Sequence, residues 1–209
     1  TGTGKTLGFG IPLLMNIESS GTKGAAPQAL IVVPTRELCL QVATDLERAS
    51  AKMGTRVLSV YGGRAYEPQI DALTRGVEVV VGTPGRLIDL AQRGNLRLGE
   101  VRVLVLDEAD EMLDMGFLPD VERIVALIPP VRQTMLFSAT MPGEIAKLSK
   151  EILNDPVRVD IAPKEIAVEV IRQGVHFAEP GEKLDLLCSL LDDKNLARVI
   201  VITRTKHRA

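Results

Sequence analysis

Two stretches of this sequence hold residue types that could do phosphate chemistry. The first, Thr1 to Thr6, reads Thr-Gly-Thr-Gly-Lys-Thr, and the apolar spacing that follows toward Ile17 suits the start of a helix. In such a loop glycines let backbone amides approach phosphate oxygens, a lysine neutralises the β and γ charges, and a threonine hydroxyl ligates Mg²⁺ at the helix N-terminus. Lys5 and Thr6 have those roles available, with Thr1, Gly2, Thr3 and Gly4 as the cradle. Alone, the string fits equally well a glycine-rich turn that opens a helix for structural reasons.

The second stretch is Val103 to Asp110, an apolar run that ends in Asp107, Glu108 and Asp110. Carboxylates at the C-terminal end of a parallel strand lie where α/β sheets bind ligands. Facing a phosphate loop, Asp107 can hold Mg²⁺ through its water shell, and Glu108 can orient and deprotonate an attacking water. A solvated acidic turn capping the helix Ala109 to Asp114 is the plainer alternative. The two stretches together point to nucleotide hydrolysis.

Positioning them requires a sheet. Short β-branched runs recur at Ala29 to Pro34, Arg56 to Tyr61, Val77 to Gly82, Val101 to Asp107 and Thr134 to Thr140, with helical patterns between them. The runs are nearly continuous in apolar residues, as strands covered by helices on both faces should be. Alternation of strand and helix predicts a parallel α/β sheet. Thr35 can cap a helix carrying Leu38, Val42 and Leu46 on one stripe and continuing toward Met53, where Gly54 ends it. Leu118 to Leu127 and Ile145 to Leu153 are further amphipathic helices, Asp114 to Phe117 is a helix-breaking turn, and Val157 to Asp160 is a strand candidate. A connector is expected over 162–170, followed by a second α/β unit with strands in Ile171 to Glu179 and Arg198 to Thr203 around a helix from Glu182 to Asp193.

The chain has 209 residues, a net charge of −2, 45% hydrophobic and 25% charged residues, values of an ordinary globular protein rather than a disordered one. The small net negative charge argues against coating nucleic acid by bulk positive charge, so any such contact must be local. No run approaches the roughly 20 apolar residues of a membrane span, and a cytoplasmic location is the expectation. Cys39 and Cys188 read as reduced core thiols; neither they nor His176 and His207 have metal-ligand spacing. Arg123, Arg132 and Lys147 read as surface charges or helix-end partners.

Three loops follow strand candidates and carry equipment for sugar and phosphate: Pro34-Thr35-Arg36, Gly62-Gly63-Arg64 and Thr83-Pro84-Gly85-Arg86. Each offers backbone amides and one guanidinium along the same sheet edge. With no Trp and 3% aromatic residues, few side chains are available for base stacking. Backbone recognition with little sequence preference follows. Taken singly, each loop also has a structural reading: a capped helix, a turn, and proline in a first helical turn.

The whole set resembles the DEAD-box family of ATP-dependent RNA helicases. Thr1 to Thr6 looks like its motif I, Pro34 to Gln41 its motif Ia, Gly62-Gly63 its GG motif and Thr83 to Arg86 its motif Ib. Asp107 to Asp110 resembles the residues that name the family, Ser138 to Thr140 its motif III, and Val199 to Thr205 the start of motif IV. The resemblance implies a RecA-like P-loop domain with a parallel sheet flanked by helices over 1–161, a linker over 162–170, and the incomplete start of a second RecA-like domain over 171–209. It implies ATP between the two domains, RNA across both, and strand separation coupled to ATP binding and hydrolysis. By the same resemblance Ser138 and Thr140 bond toward Asp110 and couple the nucleotide site to RNA, and the protein acts as a monomer.

The family's Q motif and the strand before motif I have no counterpart in the sequence, nor do motifs V and VI. The expectation is therefore a fragment of a longer helicase, inactive alone and either poorly soluble or loosened in its fold. Two other functions stay open: a nucleotide-gated RNA clamp or assembly platform in which unwinding is incidental, and a DNA-directed helicase, which the Asp-Glu-Ala-Asp sequence disfavours.

Overall fold

The computed structural model describes residues 4–18, 24–161, 174–179, 181–193 and 198–203. In chain order these form α1 (Lys5–Asn16), β1 (Ala29–Val32), α2 (Arg36–Ala49), β2 (Val57–Val60), α3 (Glu67–Arg75), β3 (Val79–Gly82), α4 (Pro84–Gln92), β4 (Val103–Leu106), α5 (Ala109–Asp114), α6 (Leu118–Ala126), β5 (Gln133–Leu136), α7 (Gly143–Ile152) and α8 (Lys183–Leu191). The chain divides into two compact units, Thr1–Val157 and Arg158–Ala209.

Each strand of the first unit was legible as a β-branched run, and the five pair in parallel in the order β2-β3-β1-β4-β5. The continuity of those runs has its cause in two separate cores. Leu30, Val32, Val80, Leu104 and Leu106 project to one face and meet Leu87, Leu90, Met112, Val121, Ile124 and Ile145 from the helices there. The intervening Ala29, Ile31, Val79, Val81, Val103 and Val105 project to the other, against Phe9, Leu13, Cys39, Val42 and Leu46 of α1 and α2. Period-two alternation therefore divides an all-apolar strand between two helical layers.

Local signals start and stop the helices. The Thr35 hydroxyl accepts from the Leu38 amide at 3.3 Å and caps α2. Pro84 occupies the first turn of α4, where its missing N–H costs nothing. Gly116, at φ +76, turns the chain between α5 and α6. Helix α2 ends at Ala49, not near Met53, because the Ser50 amide closes back on Leu46 and Arg48 while turns follow to Gly54.

Glu78 was not singled out by its sequence context, yet it is fully buried just before β3. Its carboxylate accepts from the Arg56 backbone amide at 2.8 Å, from Nε at 3.1 Å and from Nη2 at 2.6 Å. The bidentate pair pins the entry to β2 against the entry to β3.

Several expectations for the C-terminal part are corrected. Val157–Asp160 is not a strand, and Val157 and Val159 are 90% and 77% exposed. Among the described residues of the second unit neither 174–179 nor 198–203 forms a strand; only α8 is regular. A strand exists only through a ladder, and β-branched composition cannot supply the partner. Cys188 is exposed rather than buried, since no residue of α8 is buried, whereas Cys39 is fully buried as expected. Burial pushes the Cys39 thiol up to about 12, which makes it chemically inert. The connector at 162–170 and His207 lie outside the described residues.

Three outcomes follow for stability. A Cβ at Gly82 would lie 2.6 Å from Leu87 Cδ2 and 2.8 Å from the Val60 carbonyl oxygen, and a backbone atom cannot step aside. Gly82→Ala should cost about 1–3 kcal/mol in urea unfolding. At Gly10 the only close contact among the described residues is the end of the Leu46 side chain, at 2.6 Å. Because alanine is also the better helix former, Gly10→Ala should stay within about 1 kcal/mol of the parent. Equal losses for the two would contradict this packing. Glu78→Ala should cost about 3 kcal/mol by the same measurement, the low end for breaking a buried pair, because the Arg56 side chain is 34% exposed.

Candidate nucleotide and nucleic-acid site

Pairing in register makes the strands end level. Val60 lies opposite Gly82, Gly82 opposite Val32, Val32 opposite Leu106, and Leu106 opposite Leu136. The loops after all five strands consequently rise from one edge, with β1 at the centre of the sheet. Such an edge is where open α/β sheets receive ligands.

At this edge Gly4 takes the left-handed conformation, φ 73°, immediately before α1, and no side chain caps the helix. Amides of a first helical turn have no acceptor within their own helix, which leaves an anion-binding end. Lys5 Nζ stands 3.9 Å from Asp107 Oδ1. Asp107 is 3% exposed, and its amide donates to the Val32 carbonyl at 3.0 Å. Burial raises the Asp107 carboxyl above its ordinary value, opposed by the Lys5 charge and by the Glu108 amide, which donates to Oδ1 at 3.0 Å. A buried carboxylate whose charge is costly to keep is stabilised by a cation. A carboxylate is a hard oxygen donor of the kind Mg²⁺ takes. Thr1, Gly2 and Thr3 lie outside the described residues.

Glu108 has φ +54, a left-handed backbone unusual for a residue with a side chain. It is the residue from which α5 departs. Strain of this kind, of order 1–3 kcal/mol, persists only where the surroundings enforce it. Here they do: the Glu108 amide is bound to Asp107, and the next amide, Ala109, donates to the Phe137 carbonyl at 3.0 Å.

Asp110 joins the acidic strand end to the loop after β5. The Thr140 amide and hydroxyl donate to Asp110 Oδ2 at 2.9 and 3.0 Å, and the Asp110 amide donates to Ser138 Oγ at 3.1 Å. Partial burial pushes the Asp110 carboxyl up, but the Thr140 and Ser138 bonds outweigh it and hold it below the usual range. Phe137, just before this loop, packs its ring 5.4 Å from that of Phe9 on α1. The loop therefore touches both the lysine-bearing helix and the acidic strand end.

The three nucleic-acid candidates lie on the β1, β2 and β3 side of the same edge. Pro34 is buried, Thr35 is half-buried and Arg36 is exposed, with its guanidinium 4.9 Å above the Tyr61 ring. Gly62, Gly63 and Arg64 are exposed, and Arg64 Nη1 donates to the Tyr61 hydroxyl at 3.5 Å. Among the described residues, a Cβ at Gly62, Gly63 or Gly85 would meet nothing within 4 Å. Thr83 precedes α4 without a side-chain capping bond. Arg86 departs from the expectation of a free guanidinium: it is 9% exposed, lies 3.9 Å over the Tyr66 ring, and donates from Nη2 to the Arg64 carbonyl at 3.0 Å. Its Nη1 is buried with no hydrogen-bond partner among the described residues.

Tyr61, Tyr66 and Gln69 organise this surface and were not identified from sequence. One signal was available, since the chain has two tyrosines and they bracket the glycine loop. Gln69 carried none: its role depends on which backbone groups the fold brings to it. Of the charges read as ordinary, Arg123 pairs with Asp120 and Lys147 with Glu151, while Arg132 holds the Pro129 carbonyl at 2.7 Å.

Comparison with known proteins agrees with this geometry. The sequence model of the DEAD/DEAH box helicase family matches residues 1–148. The chain is 48% identical over 208 residues to the DEAD-box ATP-dependent RNA helicase CshA of Geobacillus kaustophilus, an alignment covering 100% of this chain and 44% of that protein. It is also 48% identical to the ATP-dependent RNA helicase DeaD of Mycobacterium tuberculosis, covering 99% of this chain and 36% of the relative. It thus spans less than half the length of these relatives. A crystal structure of a DEAD box protein from Methanococcus jannaschii superimposes with a TM-score of 0.72 at 39% identity, covering 92% of this chain and 51% of the other. Parallel sheet, level strand ends and acidic site agree with what the family match indicates: this chain belongs to the DEAD/DEAH box helicases.

Proposed function

We propose that the chain is the ATP-binding RecA-like portion, over 1–161, of an ATP-dependent RNA helicase, joined through 162–170 to the start of a second such domain over 171–209. In the whole protein, ATP binding and hydrolysis drive RNA binding and local strand separation. The observation that carries this reading is the meeting of Lys5 and Asp107 at 3.9 Å on the edge where the glycine loops also emerge. RNA as the polymer is supported by the names of the relatives, which are ATP-dependent RNA helicases.

In this reading the first-turn amides of α1 and the Lys5 ammonium hold the β- and γ-phosphates of ATP. A magnesium ion held by Asp107 and Thr6 would neutralise charge that develops on those phosphates. Glu108 orients the attacking water and takes its proton, its carboxylate carried by the left-handed turn that separates it from the Asp107 site. Asp110 transmits the state of that turn to Ser138 and Thr140. Thr35, Arg36, Gly62, Gly63, Arg64, Thr83, Gly85 and Arg86 hold sugar and phosphate, with Pro34 and Pro84 shaping the loops around them. Among the described residues no helix is long and apolar enough to cross a membrane; a cytoplasmic monomer is part of the proposal.

The test is Glu108→Gln in the full-length protein. Turnover should fall by about 10²–10⁴-fold, the usual worth of a general base, while ATP-dependent binding of single-stranded RNA is retained. Turnover within a few-fold of the parent would show that another group activates the water. Stimulation of the parent's ATPase by RNA but not by DNA of the same length is expected; equal stimulation by both would remove RNA from the assignment.

A further inference from the structure

Gln69 lies on α3, outside every loop assigned above to ATP or RNA, yet it is 1% exposed and both ends of its amide are engaged. Oε1 accepts from the Tyr61 amide at 3.2 Å, and Nε2 donates to the Ala65 carbonyl at 3.0 Å. The chemistry dictates that orientation, since the flipped amide would set donor against donor and acceptor against acceptor. Between the two anchors run Gly62, Gly63 and Arg64, all exposed, with Gly63 at φ +74. The span is held at a third point by Arg86 Nη2 on the Arg64 carbonyl at 3.0 Å, and Arg86 is itself steadied by the Tyr66 ring.

We infer that Gln69 is a positioning residue for RNA: it closes the base of the 61–65 loop so that the loop's backbone amides are already aimed at the polymer before it arrives. The inference rests on the function proposed above. Its physical basis is the cost of order. Fixing backbone costs conformational entropy, and glycine loses the most freedom. The loop makes no core contact that would supply this, because Gly62, Gly63, Arg64 and Ala65 are all exposed. With the clamp in place the cost belongs to folding; without it the cost falls on RNA binding and appears as lost affinity. The ATP site, on α1 and β4, is anchored through other contacts and is not touched by Gln69.

The test uses RNA-stimulated ATPase of the full-length protein with oligouridylate as the probe, and a thermal melt of each variant. Gln69→Met keeps length and packing but removes both bonds. The RNA concentration at half-stimulation should rise by about tenfold, the equivalent of one or two lost hydrogen bonds, while kcat at saturating RNA and KM for ATP stay within about twofold. A folded variant with unchanged half-stimulation, or one in which all three parameters decline together, overturns the inference. If the methionine variant does not fold, Gln69→Glu decides: it keeps the acceptor for Tyr61 but sets a carboxylate against the Ala65 carbonyl, and should give the same split. An unchanged half-stimulation there is equally fatal. Absence of RNA stimulation in the parent protein would take down the proposed function and this inference together, whereas failure confined to the Gln69 variants leaves the function standing.

Discussion

The level ending of the strands depends on one ladder. β1 is paired on both sides, to β3 and β4, with Val32 opposite both Gly82 and Leu106. All four of its residues are fully buried. A slip of one residue in this strand would exchange its two faces and send every side chain into the wrong core. Register is thus held by packing on both sides of the sheet, and the site inherits that precision. Asp107 follows directly from β4, and the bond from its amide to the Val32 carbonyl extends the ladder into the site.

The edge built in this way has two halves with different physics. Around β4, β5 and α1 it is charged: a buried Asp107, a lysine near it, a half-buried and strained Glu108, and an Asp110 that accepts from Thr140. Burial makes the Asp107 charge costly and responsive to any cation placed beside it. Around β1, β2 and β3 the edge is open, with glycine backbone facing solvent and guanidiniums resting on tyrosine rings. That half suits a long polyanion held by its backbone. The loop Ser138 to Thr140, bonded to Asp110 and joined through Phe137 to Phe9, lies in the charged half and links α1 to the acidic strand end.

Arginine is put to three uses here, and their separation is instructive. Arg56 spends its fork on Glu78 and stabilises strand entry. Arg86 spends its fork on a ring and a carbonyl and shapes a loop. Arg36 and Arg64 are exposed, each resting near Tyr61. Sequence position alone made Arg36, Arg64 and Arg86 equivalent; burial separates them.

Much of this was readable from the chain itself, for a definite reason. Strands covered on both faces write their burial as unbroken apolar runs, caps and turns use few residue types, and phosphate chemistry needs glycine, lysine and carboxylate at short range along the chain. The five strands and the loops that follow them were legible on those grounds, and the approach of Lys5 to Asp107 accords with them. What only the tertiary structure decided is whatever depends on a partner distant in sequence. Val157 to Asp160 and Arg198 to Thr203 have strand composition and no ladder; Cys188 has a core residue's neighbours and no core. Glu78 is an ordinary glutamate until Arg56 arrives from the adjacent strand, and Gln69 an ordinary helix residue until the fold brings it the Tyr61 amide and the Ala65 carbonyl. Local chemistry is written in adjacent residues, whereas pairing is a property of the fold.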